Sequence, residues 1–178
     1  MIERIWSGWR SSYVSSTPVR AGSDPGDPGE PGSVFTQLLH SGASDTDTHI
    51  VHRANTCFVV VNLFPYTTGH LLVVPYREVA DLDGLTGEET TKLWATVTHA
   101  VGVVRSVYSP HGLNVGLNLG RPAGGSVPDH LHVHVVPRWT GDSNFMTAIS
   151  NTQTLPEALI DTAARLRAGW AVAGAERQ

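Results

Sequence analysis

The sequence has one cysteine, Cys57, in 178 residues. A single thiol can neither close an intrachain disulfide nor build a cysteine-based zinc cluster. Its surroundings, "ANTCFVVVNL", are apolar, which reads as a small buried core residue. An excess of positive charge is also missing. Twelve Lys and Arg stand against sixteen Asp and Glu, a net charge of −4. That balance removes the general electrostatic reason to expect nucleic acid as a partner, although a local site can still hold a small anion. No apolar run is long enough to span a membrane. The opening "MIERIWSGWR" is charged and Trp-rich and lacks the apolar centre of a signal peptide. The expected setting is a reducing cytoplasm.

The length suits one domain with a sizeable core, plus arms. Residues 1–20 read as an N-terminal amphipathic arm, with Ile2, Ile5, Trp6, Trp9 and Tyr13 at helical spacing. Residues 21–33, rich in Gly, Pro and Asp, read as a flexible linker that buries nothing. A core is expected over 34–142 and a helical segment over 143–178. Polar sequence continues to about residue 53, anchored by Val34, Phe35, Leu38 and Leu39. Two strands, 56–64 and 70–76, flank the turn "PYTTG" and predict an antiparallel hairpin. Thr86 and Glu89 form a capping-box pair ahead of Leu93, Trp94, Val97, Val101, Val104 and Val107, a helix that should end before "SPHG" at 109–112. "LNVGLNLG" (113–120) alternates as a half-buried strand, "RPAGGS" (121–126) is a loop, and another strand follows over about 129–136. Thr154 and Glu157 repeat the capping-box pattern before Leu155, Leu159, Leu166 and Trp170, a C-terminal helix. This order predicts an α+β fold, an antiparallel sheet with helices on one side.

The last strand holds "HLHVHVV". His130, His132 and His134 alternate with Leu131, Val133 and Val135, so the three imidazoles share one face and the aliphatic residues face the core. Three readings are open. A solvated histidine face is poor, because generic polar faces draw on Lys, Glu, Thr and Ser. A metal site is better, since His-x-His is a common ligand pair, but same-face neighbours lie about 7 Å apart and a third fits one ion less easily. In the third reading one imidazole is a nucleophile and its neighbours orient it or bind an anion. That reading calls for a phosphate cradle, and "NLGRPAGGS" just upstream offers one. Gly120, Gly124 and Gly125 allow close backbone approach, while Asn118 and Ser126 add side-chain donors.

"HLHVHVV" also resembles the His-φ-His-φ-His-φ-φ signature (φ, apolar) of the histidine triad family of nucleotidyl hydrolases and transferases. "CFVVVNLFPYTTGHLLVVP" (57–75) is similar to that family's first hairpin, and the likeness covers about residues 55–142. The resemblance implies that His132 is the nucleophile and that His130 and His134 flank it and contact phosphate. It implies a supporting role for His70, whose alternative is a satisfied core histidine. Asn62 falls where relatives contact ribose; its alternative is a turn-capping Asn. Asn118, Gly124, Gly125 and Ser126 fall on the phosphate-binding stretch. Leu63 and Phe64 read as a base-pocket lining or, at least as well, as apolar core. Arg77, Arg121 and Arg138 are available for polyphosphate charge, or are ordinary surface residues. Trp139 could stack on a base or close a subunit contact, with plain packing as the alternative.

Within the family, residues 114–145 most resemble the actinobacterial diadenosine tetraphosphate phosphorylases. That implies cleavage of the dinucleotide with inorganic phosphate to ATP and ADP, with AMP, ADP and ATP among the ligands. It implies no required cofactor and no protein-bound metal, with Mg bound at most alongside the nucleotide. It also implies a homodimer or homotetramer whose sheet continues across subunits. Ser126 is a departure, since many hydrolase-type relatives carry Gln there; this weakens a transfer of hydrolase activity. A hydrolase, a nucleoside phosphoramidase, a non-catalytic nucleotide sensor and a His-ligated metal protein are the alternatives.

Overall fold

The computed structural model describes residues 32–142 and 156–175. The N-terminal arm (1–20), most of the linker and residues 143–155 lie outside the described residues. Helix α1 spans Val34–His40 and is followed by strands β1 (Ile50–Arg53), β2 (Cys57–Val61) and β3 (Leu71–Pro75). Helix α2 covers Gly87–Tyr108, then come β4 (Gly112–Gly116), β5 (Val133–Arg138) and helix α3 (Leu159–Ala175). The strands form one antiparallel sheet in the order β1-β2-β3-β5-β4. The α+β reading stands.

Every residue of β2 and β3 is buried because both sheet faces are covered there. Cys57, Val59, Val61, Leu71 and Val73 join Val133 and Val135 of β5 under α2 and α3. Their neighbours Phe58, Val60, Leu72 and Val74 pack on the other face with Ile50 and with Phe35 of α1. Helices therefore lie on both sides, not one. The strand periodicity already required this: a run apolar at every position has no polar face to turn to water.

The capping box of α2 is present, with Glu89 N–H donating to Thr86 Oγ1 and Thr86 N–H donating to Glu89 Oε2. The helix ends at Tyr108, and Ser109 takes a left-handed conformation (φ 46°). Its buried stripe uses Ala100 and Val103, whereas Trp94 is 40% exposed. Thr154 of the second capping-box pattern lies outside the described residues. Helix α3 begins at Leu159, so Glu157 precedes it and accepts hydrogen bonds from Tyr108, Thr162 and Arg165.

Two elements escape the sequence pattern. Strand β1 and helix α1 lie in the stretch read as polar, because each is short and supplies only a few apolar residues. Ser33, assigned to the linker by composition, is 4% exposed and caps α1 by accepting from Thr36 N–H. Strand β4 is shorter than the alternation of 113–120 suggests; it stops at Gly116 and forms a sheet edge. The histidine strand begins at Val133, leaving His130 and His132 in the segment that leads into it, with His130 at a bend.

Candidate active site

Strand pairing assembles the site. Leu72 of β3 and Gly116 of β4 flank His134. The residue before β3 is His70, and Asn118 lies two residues beyond β4. The sheet thus brings His70, His134 and the Gly-rich loop to one end of β5. The loop leads directly back into His130 and His132. On the opposite sheet face, Leu131, Val133 and Val135 are 3%, 0% and 0% exposed and anchor the strand in the core.

The hydrogen bonds assign a proton to each imidazole. Tyr66 N–H donates to His70 Nδ1 (3.0 Å), so His70 carries its proton on Nε2. That Nε2–H faces His134 Nδ1 at 2.9 Å, which must accept. His134 therefore presents a protonated Nε2, and this buried atom has no protein partner. His132 Nδ1 lies 2.8 Å from the His130 carbonyl oxygen. A carbonyl only accepts, so His132 holds its proton on Nδ1 and keeps a lone pair on Nε2. The rings of His132 and His134 are 5.0 Å apart. A nitrogen with a free lone pair and an N–H donor therefore sit on adjacent rings.

Burial keeps these rings neutral. It is the largest cause of the lowered pKa at His70, about 3, and at His134, about 4, with neighbouring histidines adding to both. Burial also lowers His132 and His130, opposed by their hydrogen bonds to backbone carbonyls. A neutral His132 retains its Nε2 lone pair below the usual imidazole range.

His130 is not arranged to meet phosphate. It is fully buried, with Nε2 2.8 Å from the Pro75 carbonyl oxygen and Nδ1 2.6 Å from Ser33 Oγ. Both ring nitrogens are spent on the protein, so its expected phosphate contact is corrected to a supporting position beneath His132. The four rings form a relay of protein contacts, and among the described residues no group of three or more His, Cys, Asp or Glu is placed to hold a metal ion.

The Gly-rich loop is tight. Gly125 N–H donates to the Gly120 carbonyl (3.3 Å), and a Cβ at Gly125 would meet the carbonyl oxygens of Gly120 and Asn118 at 3.0 and 3.1 Å. Gly124 has φ 93°, a left-handed conformation that disfavours a side chain. Ser126 is exposed. Asn62 caps its own turn, its Oδ1 accepting from Phe64 N–H (3.1 Å), while its Nδ2 lies 3.3 Å from His70 Nδ1. Leu63 and Phe64 are 49% and 84% exposed, so neither is core; the turn projects them outward because Asn62 ends the strand. Trp139 follows the end of β5, five residues or roughly 16 Å along the strand from His134. Of the three arginines, Arg77 pairs with Glu89 and Arg138 with Asp142, while Arg121 is exposed on the Gly-rich loop.

Three contributors fall outside the sequence pattern. Tyr66 stacks on His134 at 5.9 Å between centroids with planes 6° apart. Phe35 meets His130 edge-on at 5.4 Å and tilts over His132 at 5.1 Å. Ser33 reaches His130 across 97 positions of chain. Ser33 leaves a local trace as a helix-capping residue before "VF", and Phe35 one as an apolar anchor of that stretch; Tyr66 leaves none.

Residues 43–141 match the family model of the HIT domain. An AP-4-A phosphorylase of Mycobacterium tuberculosis is 44% identical over 170 residues, spanning 96% of this chain and 85% of that protein. An asymmetrical bis(5'-nucleosyl)-tetraphosphatase of Schizosaccharomyces pombe is 38% identical over 95 residues, 53% of this chain and 52% of that one. The crystal structure of a Zn-bound histidine triad family protein from Mycobacterium smegmatis superposes with a TM-score of 0.66 at 25% identity, covering 82% of this chain and 97% of that chain. The chain belongs to the HIT, or histidine triad, family.

Proposed function

We propose that this protein is a nucleotidyltransferase that cleaves diadenosine tetraphosphate with inorganic phosphate to ATP and ADP. The observation that carries this reading is the likeness to the M. tuberculosis AP-4-A phosphorylase over nearly the whole chain. His132 Nε2 attacks the α-phosphorus in line; the P–O bond to the remaining polyphosphate breaks and ATP leaves. The leaving group is a stable anion, so no strong general acid is needed. The adenylyl group is held as a phosphoramidate on His132. A phosphate oxygen then attacks the same phosphorus, breaks the P–N bond, and yields ADP. His134 Nε2–H, Asn118 and Ser126 stabilise the equatorial oxygens, while Gly124 and Gly125, whose N–H groups close the loop on Arg121 and Gly120, let its backbone approach the phosphate. Asn62 serves the ribose, with Leu63 and Phe64 beside the base; Trp139 is the more distant nucleotide contact. No resident cofactor is required, and Mg2+ enters with the polyphosphate.

The protein works in the cytoplasm as a homodimer or homotetramer, with neither nucleic acid nor membrane as a partner. An edge strand, β4, with Val115 43% exposed, supports continuation of the sheet into a second copy. The S. pombe tetraphosphatase relative keeps hydrolysis as the second reading, in which water replaces phosphate in the second step.

The test of the first step is to trap the intermediate. Substrate labelled at the α-phosphorus, quenched in alkali without phosphate, should leave label on wild-type protein and none on His132→Ala. Label that persists on His132→Ala would remove His132 as the nucleophile.

A further inference from the structure

Helix α1 is not only a cover for the sheet. Ser33, at its N-cap, is held from three sides. Its N–H donates to Glu78 Oε2 (2.8 Å), its Oγ accepts from Thr36 N–H (3.3 Å), and Oγ lies 2.6 Å from His130 Nδ1. Glu78 also accepts from Thr36 Oγ1 (2.7 Å) and so fixes the cap from a second direction. His130 Nε2 faces the Pro75 carbonyl, an acceptor, so its proton is on Nε2 and its Nδ1 must accept. Ser33 Oγ–H is therefore the donor to His130. The carbonyl of that same His130 receives Nδ1–H from His132. A continuous chain runs from Glu78 through Ser33 and His130 to the nitrogen opposite the nucleophilic one.

We propose that Ser33 is a positioning residue for His132: by fixing the ring and main chain of His130, it locks His132 in the tautomer that leaves Nε2 free to attack. The inference rests on His132 being the attacking group. Ser33 touches no reacting atom. It acts on the orientation of the His130 carbonyl, as Phe35 does by packing against both rings. Loss of the hydroxyl leaves His130 Nδ1 buried without its donor. The ring and its carbonyl can then shift, and His132 can place its proton on either nitrogen.

The test compares wild type, Ser33→Gly and Ser33→Thr in the full chain. Glycine is nearly as good as serine at an N-cap, so α1 is retained while the hydroxyl is lost. Ser33→Gly should lower kcat about tenfold, the scale of one lost hydrogen bond, with KM changed less than twofold. Nitrogen-15 NMR of labelled histidine should show one His132 tautomer, protonated on Nδ1, in wild type and a mixture in Ser33→Gly. Ser33→Thr, which keeps the hydroxyl, should restore both. The proposal is overturned if Ser33→Gly keeps the single Nδ1–H tautomer, whatever its rate, or if Ser33→Thr matches Ser33→Gly in both readouts. If wild type transfers no nucleotidyl group, the functional reading fails separately, and the tautomer comparison still decides the role of Ser33.

Discussion

At the scale of single residues, the site depends on which nitrogen of each histidine carries its proton. Alternation in "HLHVHVV" suffices to place three rings on one face, but it treats them alike. The structure separates them: His130 is committed to Ser33 and Pro75, His132 to a backbone carbonyl, and His134 to His70. The partners of His130 and His134 come from distant parts of the chain, which is why a local pattern cannot rank the three. Gly125 is different, because its reason is steric and short-range. An added Cβ would press on two backbone oxygens at 3.0 and 3.1 Å, and backbone cannot swing aside as a side chain can. Gly125→Ala should therefore lower kcat/KM by about tenfold or more through a displaced phosphate loop. Its urea midpoint should stay near that of wild type, because the loop lies outside the two core clusters. Unchanged kcat/KM would show that the loop does not hold the reacting phosphate.

At the scale of elements, the two long helices make the clearest energetic statement. Helix α3 crosses α2 at Gly169, where a Cβ would sit 2.4 Å from Val107 Cγ2. Gly to Ala inside a helix ordinarily gains about 1 kcal/mol. Here the clash should reverse the sign, so Gly169→Ala should melt lower than wild type by about 1–3 kcal/mol of overpacking strain. Adding Val107→Ala removes the obstacle and should recover part of the loss. A higher melting temperature for Gly169→Ala alone would contradict the close crossing. Element boundaries were legible where capping chemistry and apolar period agree, as for α2 from Thr86 to Tyr108. They were not legible for α1 and β1. At seven and four residues, these elements are too short for a periodicity to emerge. Glu157, read from the sequence as half of a cap, lies before α3 and pairs with Arg165, a tertiary partner that local spacing does not reveal.

At the scale of the whole molecule, burying neutral histidines ties stability to pH. His70 and His134 titrate at about 3 and about 4 when folded, against 6.5 in their unperturbed state. Between those limits the unfolded chain binds more protons than the folded one, so stability rises with pH across the window and is lost on acidification below 6.5. Each group contributes a slope of at most about 1.4 kcal/mol per pH unit. The urea midpoint should fall from pH 7 to pH 5, and less steeply in His70→Asn. A flat midpoint over that range would mean that these imidazoles are already charged in the folded state.

The central claim concerns the acceptor in the second step, and one measurement addresses it most directly. Diadenosine tetraphosphate is incubated with the protein with and without inorganic phosphate, and the nucleotides are separated. ATP and ADP in equal amounts, formed only with phosphate present, are the predicted result. ATP and AMP formed regardless of phosphate would contradict it and make water the acceptor.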